Sequence, residues 1–275
     1  MIKTIALTVV LMTLFGGSGF AQQGTITRNN LNQAEIETII KKFTRNEESF
    51  RQALTNYVFN RKAKIQTVGL GGLITGTYIR DSFMTFKSTG ERFERITYHP
   101  VSTLRELQIT KEDIEDLGGV NPFAINPRDV NSYTFNYLGK EKIDELNLHV
   151  FDVRPKPLTK KQRKSGKRFF VGRIWVDDRD FMVVKSKGKG FPEVGKQRFP
   201  VVETWRTNVD GKYWFPAYSA SNDELVFDSG QVVKMRMRVR YEDYKEATSE
   251  VTILDDDEPI EENKEEPKPP KKDNQ

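Results

Sequence analysis

The chain of 275 residues contains no cysteine. It therefore carries no disulfide, no thiolate metal site and no acylation cysteine behind a leader. Histidine is almost as scarce, with only His99 and His149. His99 precedes Pro100, which places it in an extended or turn position. His149 falls within a strand pattern, where a hydrogen-bonded structural role is the commoner one. The chain has no Gly-x-Ser-x-Gly nucleophile elbow, and Gly16-Gly17-Ser18-Gly19 lies inside the leader. Gly69-Leu70-Gly71-Gly72 lacks a following Gly-Lys-Ser/Thr, so it reads as a turn and not as a phosphate cradle. Metal binding would fall to carboxylates alone. Glu112, Asp113, Glu115 and Asp116 read as the acidic first turn of a short helix. Asp177-Asp178-Arg179-Asp180 reads as a hairpin turn. These absences argue against an enzyme, and neither cofactor nor metal is expected.

Long apolar runs are missing too. The longest, at residues 5–15, is far short of the roughly 20 residues that span a bilayer. It follows Lys3 and precedes small residues at Gly19 and Ala21, which fit a signal-peptidase site. Cleavage after Ala21 and a periplasmic location are expected. At the other end, residues 246–275 carry eleven acids, four lysines and four prolines but no aromatic residue. Such a segment buries little apolar surface and reads as a disordered acidic tail. Its net charge of −7 leaves residues 22–245 with +11. A basic exported body attracts its own acidic tail, or anionic lipid at a membrane surface. Given export, nucleic acid is not an expected partner.

The body itself reads as one domain, mainly β with some α. Residues 32–57 place Ile36, Ile39, Ile40, Phe43, Phe50, Leu54 and Tyr57 on one helical stripe, with Asn32 as N-cap and Glu35 completing a capping box. A break is expected near Arg45-Asn46. Residues 110–117 predict a second, short helix. The rest alternates as strands: 57–68, 75–87, 92–98, 133–138, 146–154, the pair within 168–187, 201–209, 212–219, 225–227 and 232–244. No helical crossover separates consecutive strands, so the sheet is antiparallel, with about ten strands. In the central pair, a two-residue loop at Asp178-Arg179 would put Phe170, Ile174, Val176, Phe181 and Val183 on one face, and Val171, Arg173, Trp175, Met182 and Val184 on the other. In the last strand, Val233, Met235, Met237, Val239 and Tyr241 alternate with Lys234, Arg236, Arg238 and Arg240, giving one dry face and one wet face. Residues 156–168 read as a mobile basic loop. Residues 187–195 read as a glycine-rich loop. Two helices cover only part of such a sheet, which leaves a hollow. That hollow is either filled by its own side chains or open to acyl chains.

The run Gly172-Arg173-Ile174-Trp175-Val176-Asp177, with Val184-Lys185 on the return strand, carries a resemblance. Val202-Glu203-Thr204-Trp205 and Gly211-Lys212-Tyr213-Trp214-Phe215-Pro216 extend it, as do Tyr137–Leu146 and Val150–Val153 before it. Together they resemble the LolA/LolB/LppX-like superfamily of outer-membrane lipoprotein-sorting and carrier proteins, with RseB as a regulatory relative. The resemblance implies a half-open antiparallel β-barrel, helices as a lid over an apolar cavity, lipid acyl chains or lipoproteins as partners, and no catalysis. The superfamily uses a surface and no fixed motif, so the lining is taken from the apolar faces read above: Ile39, Phe43, Tyr133, Phe135, Phe170, Ile174, Val176, Phe181, Val183, Met235, Met237 and Val239 are the expected cavity lining. Lys160, Lys161, Arg163, Lys164 and Lys167 form a candidate anion or membrane patch, giving transient membrane contact. A monomer is expected. The alternative role is an envelope sensor or scaffold that binds a membrane protein's periplasmic segment.

Overall fold

The computed structural model describes residues 25–86, 92–117, 125 and 127–247. The expected signal segment, residues 118–124 after the short helix and all but the start of the acidic tail lie outside the described residues.

The first helix, α1 (Gln33–Leu54), starts at Asn32, whose side chain accepts from the Glu35 amide while Glu35 Oε2 accepts from the Asn32 amide. This reciprocal cap satisfies donors that a helix start leaves unpaired. The helix runs unbroken through Arg45-Asn46. Asn46 instead points outward and donates to the carbonyls of Asp180 and Phe181 at 2.8 and 3.0 Å.

Ten strands follow: β1 (Tyr57–Val68), β2 (Ile74–Phe86), β3 (Arg92–Tyr98), β4 (Tyr133–Ile143), β5 (Leu146–Pro155), β6 (Phe169–Asp177), β7 (Val183–Phe191), β8 (Val202–Val209), β9 (Tyr213–Val226) and β10 (Val232–Glu246). They form one sheet in the order β3-β2-β1-β10-β9-β8-β7-β6-β5-β4, antiparallel at every pair. The sheet is not closed, so the architecture is a half-open barrel. Its edges are β3 and β4, and these two are consecutive in sequence. The connection between them must therefore cross the whole sheet. It contains α2 (Lys111–Leu117) and the buried Ile125. Its first part, residues 103–110, is a strap of irregular backbone.

Three details of the sheet depart from the pattern reading. The central hairpin loop is wider than two residues: the Asp177 amide donates to the Met182 carbonyl at 2.9 Å, and Phe181 takes a left-handed φ of 57°. Of the glycine-rich loop expected at residues 187–195, the part through Phe191 is strand and only the rest is loop, because glycine makes room for aromatic rings. A Cβ on Gly188 would lie 2.3 Å from the Phe170 ring, and one on Gly190 would lie 3.0 Å from that of Phe199. Finally, β9 is a single strand across residues expected as two. The basic loop contains a one-turn helix, α3 (Lys160–Lys164), capped by Thr159.

Candidate ligand-binding cavity

The concave face collects the inward side chains of alternating strands, and it has two halves. In one half Ile39 and Phe43 of α1 pack with Tyr133, Phe151, Val153, Phe169, Phe170, Ile174, Val176 and Val183, and Ile125 closes over them. The Phe43 ring stands 5.7 Å from Phe135 and 6.0 Å from Phe151. At the boundary between the halves, Glu47 of α1 is buried and holds Arg206 of β8 with two bonds of 2.6 and 2.9 Å. Arg206 also donates to the Val183 carbonyl and lies over the Phe50 ring.

The other half is packed where the end of α1 reaches it, with Phe50, Ala53 and Leu54 against Tyr57, Phe59 and Phe215, and hollow beyond. A cavity of about 920 Å³ lies above β1, β10, β9 and β8. Its floor is Ile65, Met235, Met237, Tyr241, Ser219, Leu225, Val202 and Thr204. Leu107 and Ile109 of the strap and Phe199 and Pro200 of the β7–β8 connection cover it. Glu106, Lys196, Arg198 and Asp228 also line it. The strap lies flat because β2 has glycine beneath it: a Cβ on Gly76 would come within 2.8 Å of the Thr103 carbonyl. Thr103 and Thr77 exchange bonds of 2.9 and 3.0 Å, Thr75 donates to Glu106 at 3.1 Å, and Arg168 reaches Asp113 at 3.3 Å. The cover is thus pinned by a few polar contacts.

Toward β3 the same concave face turns polar. Arg61 is fully buried and donates to Ser82 and Glu94; Arg80 grips Glu94 at 2.8 and 2.9 Å. Burial pushes the Glu94 carboxyl up. Bonds from Arg80 and Ser82 and the charges of Arg61 and Arg80 outweigh it and hold the group at about 2. Among the described residues, Arg61 Nε and Nη1 have no hydrogen-bond partner. Tyr241, opposite Arg61 in the β1–β10 pairing, is pushed up by burial.

The structure divides the twelve expected lining residues. Met235 and Met237 line the cavity. Ile39, Phe43, Tyr133, Phe135, Phe170, Ile174, Val176, Phe181 and Val183 meet each other in the packed half instead. Val239 is buried among the residues around the floor. The α1 helix packs into the sheet and lines none of the hollow, so the strap, not the long helix, is the cover. The pattern reading missed Leu107, Ile109 and Phe199, which lie on segments without periodicity. Among the basic residues expected as a patch, Lys160, Lys161 and Arg163 are exposed, and Lys167 pairs with Asp129 at 2.6 Å. His149 is buried beside Tyr137, its Nδ1 3.2 Å from the phenol oxygen, and burial lowers its pKa.

No family model matches the chain, and no curated protein matches it. Solved structures similar to it include the following two. One is a LolA superfamily protein from Nitrosomonas europaea, at 13% identity and a TM-score of 0.33, covering 74% of this chain and 94% of that one. The other is a DUF1329 family protein from Desulfovibrio piger, at 12% identity and a TM-score of 0.35, covering 74% of this chain and 91% of that one. At these scores the likeness carries no argument about ligand or role, which rest on the cavity itself.

Proposed function

We propose that this chain is a non-catalytic carrier that holds the hydrocarbon part of an amphiphile, a lipid or a lipid-modified protein, in the hollow half of its concave face. One observation carries the reading: a roofed cavity of about 920 Å³ whose floor is mainly aliphatic. Its size falls within the range of about 300–1,000 Å³ typical of small-molecule sites. Each methylene moved from water into it is worth about 0.8 kcal/mol, so a single acyl chain suffices for tight binding. Thr204 and Ser219, hydrogen-bonded to each other at 2.8 Å, add a neutral polar spot to the floor and no charge. Export to the periplasm and lipoprotein traffic between membranes belong to this proposal. A sensor or scaffold role is the second reading. Among the described residues β3 is an edge strand with Ile96 and Tyr98 exposed, which favours it, because such an edge accepts a strand from a partner.

Native mass spectrometry on protein prepared without detergent tests the proposal, followed by solvent extraction and titration with a fluorescent fatty-acid probe. Copurified mass that extracts as lipid, or saturable probe uptake, is the expected result. A bare protein mass with no probe uptake would sink the carrier reading and leave the scaffold.

A further inference from the structure

The described residues expose eleven large apolar side chains, and seven of them gather at one end of the sheet. Leu70, Leu73 and Ile74 sit at the β1–β2 turn, with Leu70 95% and Leu73 74% exposed. Gly71 and Gly72 take left-handed φ of 67° and 81°, and the Gly69 amide closes the loop onto the Leu73 carbonyl at 2.8 Å. The two leucines therefore stand on a closed tip that glycine alone shapes so tightly. Strand register brings the other four to the same end. Thr67 pairs with Met235, so the start of β10 adjoins the end of β1. Val226 and Val232 pair across the β9–β10 turn. Arg198 donates to the Val226 carbonyl at 2.8 Å, and the Val201 amide donates to Asp223 at 2.7 Å, which ties the β7–β8 connection and its Val194 and Val201 to that turn.

This rim adjoins the cavity: Val194, Lys196, Arg198, Asp228 and Gln231 belong both to its loops and to the cavity wall. We infer that the rim is a docking surface for a lipid bilayer, with the aliphatic tips entering the interface and the cavity facing the acyl chains. A bilayer is favoured over a protein for three reasons. The exposed groups at this end are all aliphatic, and none is the Trp or Tyr that anchors a protein hot spot. They stand on separate hairpin tips and not in one groove, so they fit a fluid hydrocarbon boundary that demands no matching shape. And the rim runs continuously into an apolar cavity. Exposed Arg105, Lys196 and Arg236 flank it, while the exposed acids Glu193, Glu224 and Asp228 are each paired with a cation (Lys189, Lys234 and Arg198), which leaves a basic balance that suits anionic headgroups. The purpose of docking rests on the carrier reading, but the docking itself does not.

The test is co-sedimentation of the full chain with phosphatidylglycerol/phosphatidylethanolamine vesicles, against the variant Leu70→Asp/Leu73→Asp. Both positions are exposed turn sites, so the variant keeps its fold, which circular dichroism confirms. Its vesicle affinity should fall by at least about tenfold. Uptake of a dissolved, monomeric fatty-acid probe should stay unchanged. Wild-type protein that fails to bind vesicles overturns the inference, as does a variant that binds them equally well. A concentration-dependent dimer lost in the variant, without vesicle binding, would assign the rim to a second copy and also overturn it. Vesicle binding without probe uptake would uphold docking while removing the carrier reading, so the two failures are distinguishable.

Discussion

The packed half and the hollow half of the concave face are built from the same alternation of apolar residues on antiparallel strands. They differ in what lies over them. The first half of α1 lies over β4 to β7 with Ile39 and Phe43, and its second half sets Phe50, Ala53 and Leu54 against Tyr57, Phe59 and Phe215 of β1 and β9, so a side chain every 1.5 Å along its axis fills the space in register. Past the end of α1, over the Ile65, Met235 and Met237 side of β1 and β10, runs a strap with no repeat, which offers Leu104, Leu107 and Ile109. Aromatic rings interlock wherever α1 lies, around Phe43 in one half and around Phe50 and Phe215 in the other. Beneath the strap, Met235, Met237, Val202, Thr204 and Ser219 leave room. An apolar sheet face thus becomes core or cavity according to the regularity of its cover.

The largest effect should come from placing the same charge in each half. Val183→Asp buries a carboxylate in the cluster of Ile174, Phe170 and Phe43, where the neighbouring Arg206 is already held by Glu47, a penalty of several kcal/mol that should prevent folding or lower the melting temperature severely. Met237→Asp puts it on the wall of an existing cavity, where water can follow. That protein should fold, with a modest loss of stability, yet lose fatty-acid probe uptake. Thermal melts and probe titrations of the pair decide the matter. Equal destabilisation by both, or retained uptake in folded Met237→Asp, would erase the distinction between the halves.

The next effect belongs to the boundary. Glu47→Ala leaves the Arg206 guanidinium buried without its carboxylate, and a change of about 3–5 kcal/mol is expected in urea unfolding. The double change Glu47→Leu/Arg206→Met removes both charges and should recover most of that loss. If Glu47→Ala is nearly silent, α1 is not fixed to the sheet by this pair, and the helix could act as the movable lid after all.

Much of this was legible in the residues. Period-two alternation gave the antiparallel sheet and its inward face, and the stripe from Ile36 to Leu54 gave α1 with its Asn32 cap. Which inward residues line a hollow was not legible. Phe170 and Met237 read alike in their strands; one meets α1 and the other meets the strap. Leu107, Ile109 and Phe199 sit on irregular backbone, which carries no period. Glu47 was hidden because a charged residue on a helix normally faces water, and its partner lies 159 positions away. Gly188 and Gly190 misled because glycine usually marks a loop, whereas here it marks the place where a ring lies on the backbone.

The smallest expected effect lies at the polar margin of the hollow half and depends on pH. Glu94 is held at about 2 in the folded protein, below the ordinary carboxylate value of about 4.3. Because the folded value is the lower one, the contribution of Glu94 is fully present above the unfolded value. It is lost as pH falls from about 4.3 through 2, where the unfolded chain binds the proton more readily. Glu94→Gln should therefore be less stable than wild type near neutral pH, and the gap should narrow toward about pH 3 in urea midpoints. Arg61→Met tests the same cluster from the other side. It removes the guanidinium with two unpartnered nitrogens while Arg80 keeps its double grip on Glu94. Its stability loss should be smaller than that of Glu94→Gln, since Glu94 keeps Arg80 when Arg61 is gone, whereas Glu94→Gln leaves the buried Arg61 without a carboxylate. A gap that stays constant from neutral pH to pH 3 would show that Glu94 is not held below its ordinary value. An Arg61→Met loss exceeding that of Glu94→Gln would show that Arg61, and not the Arg80–Glu94 pair, keeps this end of the hollow half in shape.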